Sequence, residues 1–211
     1  MYLEESLTCS IKQIIPILQN RFVWHTTYFG IRTLRNPLDT WVYQEIIFEN
    51  KPDVIIEIGT YRGGLTLWLA HLCDSLGKGR VISINTDHNN VSHFVKEHNR
   101  ITLVLGDATK KISDVSKLVT DVDHVLVIED SSHTYNNTLS VLRTYSELLK
   151  TGDWFIVEDT NCHHGLNEGP SPGPYEAVEK FLSERDDFES DRSKESFVIT
   201  WNPTGFLRKV K

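Results

Sequence analysis

Carboxylates follow two apolar runs in the same way. Val125 to Ile128 (VLVI) leads into Glu129-Asp130-Ser131-Ser132-His133, and Trp154 to Val157 (WFIV) leads into Glu158-Asp159-Thr160-Asn161. If both runs are strands of one parallel sheet, βαβ geometry sets their ends side by side and the acids converge. Crowded carboxylates repel, and a hard dication with oxygen ligands offsets that repulsion; Mg²⁺ would leave positions open for substrate oxygens or water. Helix capping with a solvated acid cluster is the other reading of the same residues. His133, three residues after Asp130, has the ordinary pKa of a general base at neutral pH, or it caps and packs at a helix start. Cys162-His163-His164 does not make a zinc site, because adjacent residues cannot readily wrap one tetrahedral ion.

A second set of residues suits a cofactor. Glu57-Ile58-Gly59-Thr60-Tyr61-Arg62-Gly63-Gly64 runs from a strand-like segment towards a helix beginning near Leu65. Glycines there let the backbone turn sharply and approach a ligand, and free N–H groups at the helix start can take an anion. A turn needed only for packing has the same look, and the spacing is not GxGxxG. Asn85 and Asp87 follow the next apolar run, placed for ribose hydroxyls; Gly106, Asp107 and Ala108 follow the one after, placed for a base edge. Neither a GxSxG elbow nor a Walker phosphate loop is present, which removes the main support for serine hydrolase and P-loop readings.

The elements that must position these residues are short Val- and Ile-rich runs: 54–58, 81–84, 101–105, 125–128 and 154–157. Continuous apolar runs of this length read as strands buried on both faces. Between the last two, Tyr135, Leu139, Leu142, Tyr145, Leu148 and Leu149 form a helical stripe, with Gly152 as a stop. Alternating strand and helix implies right-handed crossovers and an open, mostly parallel sheet. A Gly/Pro-rich loop, 165–174, follows and is placed to act as a lid; a short helix through Ala177, Val178, Phe181 and Leu182 comes next. Phe197 to Trp201 and Phe206 to Val210 flank Asn202-Pro203-Thr204-Gly205, which predicts an antiparallel hairpin at one sheet edge. Ahead of the sheet, Asn36, Pro37 and Asp39 suit N-cap, N1 and N3 of a helix. A further N-terminal helix is expected over Ile11 to Leu18, kinked or interrupted at Pro16. The predicted organisation is therefore an N-terminal helical extension, residues 1–50, on a cofactor-binding unit, residues 51–211, in one compact domain overall.

Composition bounds the function. The chain has 211 residues, 22 Lys plus Arg against 29 Asp plus Glu, and a net charge of −7. With no basic run, nucleic acid is not an expected partner. No apolar stretch approaches a membrane span, and acids stand where a signal peptide carries positive charge. Cysteines occur only at 9, 73 and 162, an odd number without CxxC spacing, so a cytoplasmic location is expected.

The run NPLDTWVYQEIIFENKPDVIIEIGTYRGG, the phrases IEDSSHTY and FIVEDTN, the segment SPGPYEAVEKFL and the ending FVITWNPTGFLRKV resemble the cephalosporin hydroxylase family. The resemblance extends from about Trp24 to Val210. It implies a class I S-adenosylmethionine-dependent O-methyltransferase, related to rhamnosyl and macrolide-sugar methyltransferases. The implied fold is α/β and Rossmann-like: a mostly parallel seven-stranded sheet with a late antiparallel strand, helices on both faces and extra N-terminal helices. By position, Glu57, Gly59, Thr60 and Gly63 match the loop that holds the methionine and ribose parts of S-adenosyl-L-methionine. Asp130, Glu158 and Asp159 match the Mg²⁺ ligands, and His133 matches the base, making His133 and Asp130 the expected catalytic pair. Asn85 stands where relatives carry an acid, with Asp87 as a substitute, and the GDATK segment around Asp107 and Ala108 also departs from the family phrase. The expected substrate is a small hydroxylated sugar or natural product, and pairing of subunits through the N-terminal helices is expected. Two other readings share the architecture: a nicotinamide-dependent oxidoreductase and a non-catalytic partner subunit of a biosynthetic complex.

Overall fold

The computed structural model describes residues 10–211; Cys9 and the acids ahead of it lie outside the described residues. Helix α1 (Ile11–His25) precedes a two-stranded ribbon, β1 (Thr27–Tyr28) and β2 (Ile31–Arg32), and helix α2 (Pro37–Asn50). Then β3 (Val54–Ile58), α3 (Gly64–Leu76), β4 (Arg80–Asn85), α4 (His93–Lys96) and β5 (Ile101–Leu105) build one half of the main sheet. Helix α5 (Ala108–Ser116), β6 (Val125–Glu129), α6 (Tyr135–Tyr145) and β7 (Trp154–Val157) build the other half. Helix α7 (Pro174–Glu184), β8 (Phe188–Ser190) and β9 (Phe206–Lys209) complete it.

The seven strands lie in the order β5-β4-β3-β6-β7-β9-β8. β3 to β7 are mutually parallel, and β9 runs antiparallel to both β7 and β8. The chain winds outward from β3 to β5 and then returns to place β6 on the other side of β3. That reversal makes the carboxyl ends of β3 and β6 the place where a crevice opens.

Burial explains the apolar runs. Side chains alternate across each strand, so Val54, Ile56 and Ile58 pack with α5, α6 and α7, while Ile55 packs with α2 and α3. A strand sandwiched this way is apolar at nearly every position, Glu57 of β3 being the hydrogen-bonded exception, and each full burial of a Val or Ile contributes about 1.5–3 kcal/mol. The run 101–105 departs from the expected burial on both faces: β5 is an edge strand, and Thr102 and Leu105 are exposed. Val42, Tyr43, Ile46 and Ile47 of α2 belong to the same core, so this helix is packed onto the sheet. Its start follows the residue types: the Asn36 side chain accepts from Leu38 N–H at 3.1 Å, and Pro37 occupies the first turn.

Two expectations need correction. Pro16 does not end α1, which continues to His25. Proline deletes one backbone bond there, while the far end gains others: Arg32 donates from Nε and Nη2 to Val23 O at 3.2 and 3.1 Å. Phe197 to Trp201 is not a strand either; the partner of β9 is β8, with Phe188 opposite Lys209. Phe197 and Val198 are exposed, and Val198 has φ +67°, which no strand accommodates.

The backbone of that segment is committed elsewhere. Buried Asp39 accepts from Thr200 Oγ1 at 2.6 Å, Trp201 N–H at 2.9 Å and Asn36 Nδ2 at 2.8 Å. Asn202 in turn donates from Nδ2 to Tyr43 Oη at 2.7 Å and accepts from Asp159 N–H at 3.2 Å. We predict that Asp39→Ala, which strips three donors of their acceptor, two of them in buried bonds, costs about 3 kcal/mol in urea-unfolding free energy. A change below about 0.5 kcal/mol would show that the brace contributes nothing.

Candidate active site

Gly59 permits the crevice. Its φ is +110°, and a Cβ at this position would stand 1.9 Å from the carbonyl oxygen of Asp130. The tips of β3 and β6 therefore meet backbone to backbone, a distance no larger residue allows. Next to them lies a cavity of about 480 Å³ whose lining includes Gly59, Tyr61, Asn85, Asp107, Ala108 and Asp130. A second cavity, of about 240 Å³, lies on the other side of Asp130 and has Gln19 and Phe22 of α1, Asn36 and Trp201 as its outer wall. Tyr61, Asp130 and Ser131 line both. No residue of the 165–174 loop lines either cavity; α1 supplies the cover expected of that loop.

The acids do converge, in a particular arrangement. Oxygens of Asp130 and Asp159 and a ring nitrogen of His133 lie within 4.8 Å of one another, and this is the one group among the described residues with metal-ligand spacing. His133 Nε2 is 3.4 Å from Asp159 Oδ2 and 3.8 Å from Asp130 Oδ1. Both His133 and Asp159 have φ of +54°, a strained conformation for side-chain-bearing residues that recurs where geometry serves a site. Glu158 is directed differently: its Oε2 contacts Nη1 of Arg35, whose Nη2 donates to Asp130 Oδ2 at 2.7 Å. Glu158 Oε1 is buried with no hydrogen-bond partner among the described residues. Burial alone would lower the pKa of His133, but Asp159, Asp130 and Glu129 outweigh it and raise the value. Burial raises Asp159, against the opposing pull of His133 and Arg35.

The cofactor candidates divide into lining and support. Gly59, Asn85, Asp107 and Ala108 line the larger cavity. Asn85 donates from Nδ2 to Asp87 O at 2.6 Å, while Asp87 itself turns outward and accepts from Asn89 N–H at 2.8 Å. Asp107 caps α5 through Thr109 N–H at 3.0 Å. Glu57, Thr60 and Gly63 lie beneath the loop. Glu57 Oε2 accepts from Thr66 Oγ1 and Ser83 Oγ, both at 2.5 Å, and Thr60 Oγ1 is 2.7 Å from Ser83 Oγ. At Gly63, φ is +85° and a Cβ would press on Val95 at 2.6 Å. Residues that sequence reasoning did not single out are Arg35, Gln19, Phe22, Trp201 and the pair Ser131–Asn137. Asn137 donates to Ser131 Oγ at 2.7 Å, and Ser131 to Glu129 Oε1 at 2.7 Å. Cys162, His163 and His164 do not act together: His164 pairs with Glu176 at 2.8 Å, and His163 Nε2 meets Gly169 O.

Burial pushes the carboxyl of Glu57 up from 4.5 to about 7, with Ser83 and Thr66 opposing. Between those values the folded protein holds a proton that the unfolded chain has released. This contribution is therefore complete below pH 4.5 and is lost as pH rises through 7, a change of about 3 kcal/mol. Gln can accept the same two hydroxyls without titrating, so Glu57→Gln is expected to flatten the fall in melting temperature between pH 5 and pH 7. An unaltered slope in the variant would show that Glu57 does not carry it.

The chain is similar to known proteins. Residues 20–210 match the family model described as Rhamnosyl O-methyltransferase/CmcI. A rhamnosyl O-methyltransferase of Mycobacterium bovis (strain BCG / Pasteur 1173P2) is 32% identical over 193 residues, covering 88% of this chain and 79% of the relative. One of Mycobacterium leprae (strain TN) is 31% identical, covering 88% and 84%. A CmcI structure with Mg and S-adenosylmethionine is similar at a TM-score of 0.70 and 25% identity, over 88% of this chain and 77% of that one. In fold alone, an O-methyltransferase from Bacillus cereus in complex with SAH is similar at a TM-score of 0.58 and 14% identity, over 89% and 86%.

Proposed function

The chain belongs to the rhamnosyl O-methyltransferase/CmcI family, and from that premise we propose how its two cavities divide the work of methyl transfer. It is an enzyme, an S-adenosylmethionine-dependent O-methyltransferase acting on a hydroxyl of a sugar or other natural product. The observation that carries the proposal is the shared wall: one larger and one smaller cavity meet at Asp130, Ser131 and Tyr61. The larger is the donor chamber, with Asn85 placed for the ribose and Asp107 and Ala108 for the base; Glu57, Thr60 and Gly63 hold its floor in shape. The smaller is the acceptor chamber, walled by Phe22 and Trp201 with ring centroids 5.4 Å apart, and by polar Gln19 and Asn36.

S-adenosylmethionine supplies a methyl group on a cationic sulfur. Transfer of that methyl to an acceptor hydroxyl would release a proton, which needs a destination. His133 Nε2, at the floor of the acceptor chamber, receives that proton, and Asp159 and Asp130 stabilise the resulting imidazolium. General-base assistance of this kind contributes about 10²–10⁴-fold. The residues also fit a hard dication: Asp130 and Asp159 offer oxygens within one ligand sphere, and Glu158 Oε1 is a buried acceptor left unpaired. Mg²⁺, when bound, supplies Lewis acidity that steadies a developing alkoxide. Asp130, Asp159 and Glu158 are the residues we assign to hold it, and His133 stays free for the proton because Mg²⁺ prefers oxygen ligands.

In this division, residues 1–50 are the extension that supplies Gln19, Phe22 and Arg35, and residues 51–211 are the cofactor-binding unit. Exposed Trp24, Trp41 and Phe48 on α1 and α2 support pairing of subunits through these helices. No helix among the described residues is long and apolar enough to cross a membrane. The free thiols of Cys73 and Cys162 support a reducing, cytoplasmic setting.

Thermal melts test the donor chamber: SAH is expected to raise the melting temperature and NAD(P) to leave it unchanged, and the reverse pattern would favour an oxidoreductase. In methyl-transfer assays on rhamnosides, His133→Ala is expected to lower kcat at least about 100-fold while SAH affinity changes little. Parallel losses in both would make His133 structural. Exhaustive chelation is expected to abolish transfer and added Mg²⁺ to restore it; full activity after chelation would remove the metal from the proposal.

A further inference from the structure

Arg35 reaches the acidic centre from outside both the glycine turn and the strand tips. It lies between β2 and α2, fixed by the Asn36 cap that follows it, and its side chain is 5% exposed. A guanidinium does not deprotonate in a protein, so a buried one must be compensated by acids. Here the compensation is split: Nη2 holds Asp130 Oδ2 at 2.7 Å and Nη1 holds Glu158 Oε2. The remaining oxygens of the same two carboxylates point to other tasks. Asp130 Oδ1 faces His133, and Glu158 Oε1 has no hydrogen-bond partner among the described residues. With His133 neutral, three ionised carboxylates and one guanidinium leave two negative charges, the amount one divalent cation neutralises.

Resting on the Mg²⁺ reading above, we propose that Arg35 is a positioning residue that shares Glu158 with the divalent cation. It keeps the three acids assembled when the ion is absent. It also competes for Glu158, holding the affinity of the site below that of a three-carboxylate cage. The charge count of a site and the rigidity of its ligands are what set divalent-ion affinity. Removing Arg35 therefore has two opposite effects: an unpaired buried carboxylate weakens the ion-free fold, and the same carboxylate becomes a full ligand for the ion.

The test measures Mn²⁺ binding to the full chain by the loss of the free-ion electron paramagnetic resonance signal, with melting temperatures alongside. Arg35→Gln is expected to bind Mn²⁺ about tenfold more tightly than wild type. It should melt lower without the ion and gain more from saturating Mn²⁺. In a Glu158→Gln background, the same Arg35→Gln change should alter affinity less than about twofold, because the contested ligand is gone. The double variant should also melt higher than Arg35→Gln alone. Unchanged or weaker binding in Arg35→Gln overturns the proposal. So does equal tightening with and without Glu158, which would mark a charge effect at a distance. Should Arg35→Gln not fold, Arg35→Lys keeps the charge but lacks the fork that spans two acids, and the same dependence on Glu158 decides the matter. If wild type binds no Mn²⁺, or Asp159→Asn binds it equally well, the metal reading fails and this inference with it. Wild-type binding that depends on Asp159, with no response to Arg35 substitution, removes the inference alone.

Discussion

Like charges brought together away from bulk water are the constraint on which this molecule turns. Parallel pairing sets Glu129 of β6 against Val157 of β7, so the residues that follow each strand, Asp130 on one side and Glu158 with Asp159 on the other, emerge together. Their repulsion is countered from two directions. Arg35 enters beneath them from the N-terminal segment, and His133 closes over them from the loop ahead of α6. Arg35 is itself buried enough to depend on the acids, so its charge and theirs are not stable apart.

A second tier of carboxyls lies below the first and is held by different partners. Glu57 and Glu129 are almost fully buried, and burial pushes each up to about 7. Their partners are neutral groups rather than cations: Thr66 and Ser83 hydroxyls for Glu57, and Ser131 with Asn137 for Oε1 of Glu129, whose Oε2 has no hydrogen-bond partner among the described residues. The same functional group is thus a brace bonded to neutral groups on the strands and a partner of Arg35 and His133 just beyond them. Distance from the sheet interior and the identity of the partners separate the two roles.

The inner strands were legible because a strand covered on both faces is apolar at nearly every position, and α2 was legible from its cap and its proline; β5 has the same composition although it is only partly covered. The acids and His133 were legible because each directly follows such a strand. The edge of the sheet was not. Phe188–Ser190 is a short run beside several charges, whereas Phe197–Trp201 has the composition of a strand but spends its hydrogen bonds on Asp39. Arg35 was not legible either, since it lies 95 positions from Asp130 and no local spacing links them. Of the turn residues, the glycines spoke for a close backbone approach, yet only the packing reveals that Glu57 and Thr60 support the loop from below.

The two cavities also differ in how much of the chain each must wait for. Residues lining the larger one run from Ile58 to Asn137, whereas the smaller one needs Gln19 together with Trp201. A polypeptide lengthens at about 5–20 residues per second during synthesis. Some seconds therefore separate the moment when the last residue of the larger cavity is made from the moment when the smaller one has all its parts. On the ribosome, the nascent chain holds every residue of the first chamber while the second still lacks a wall.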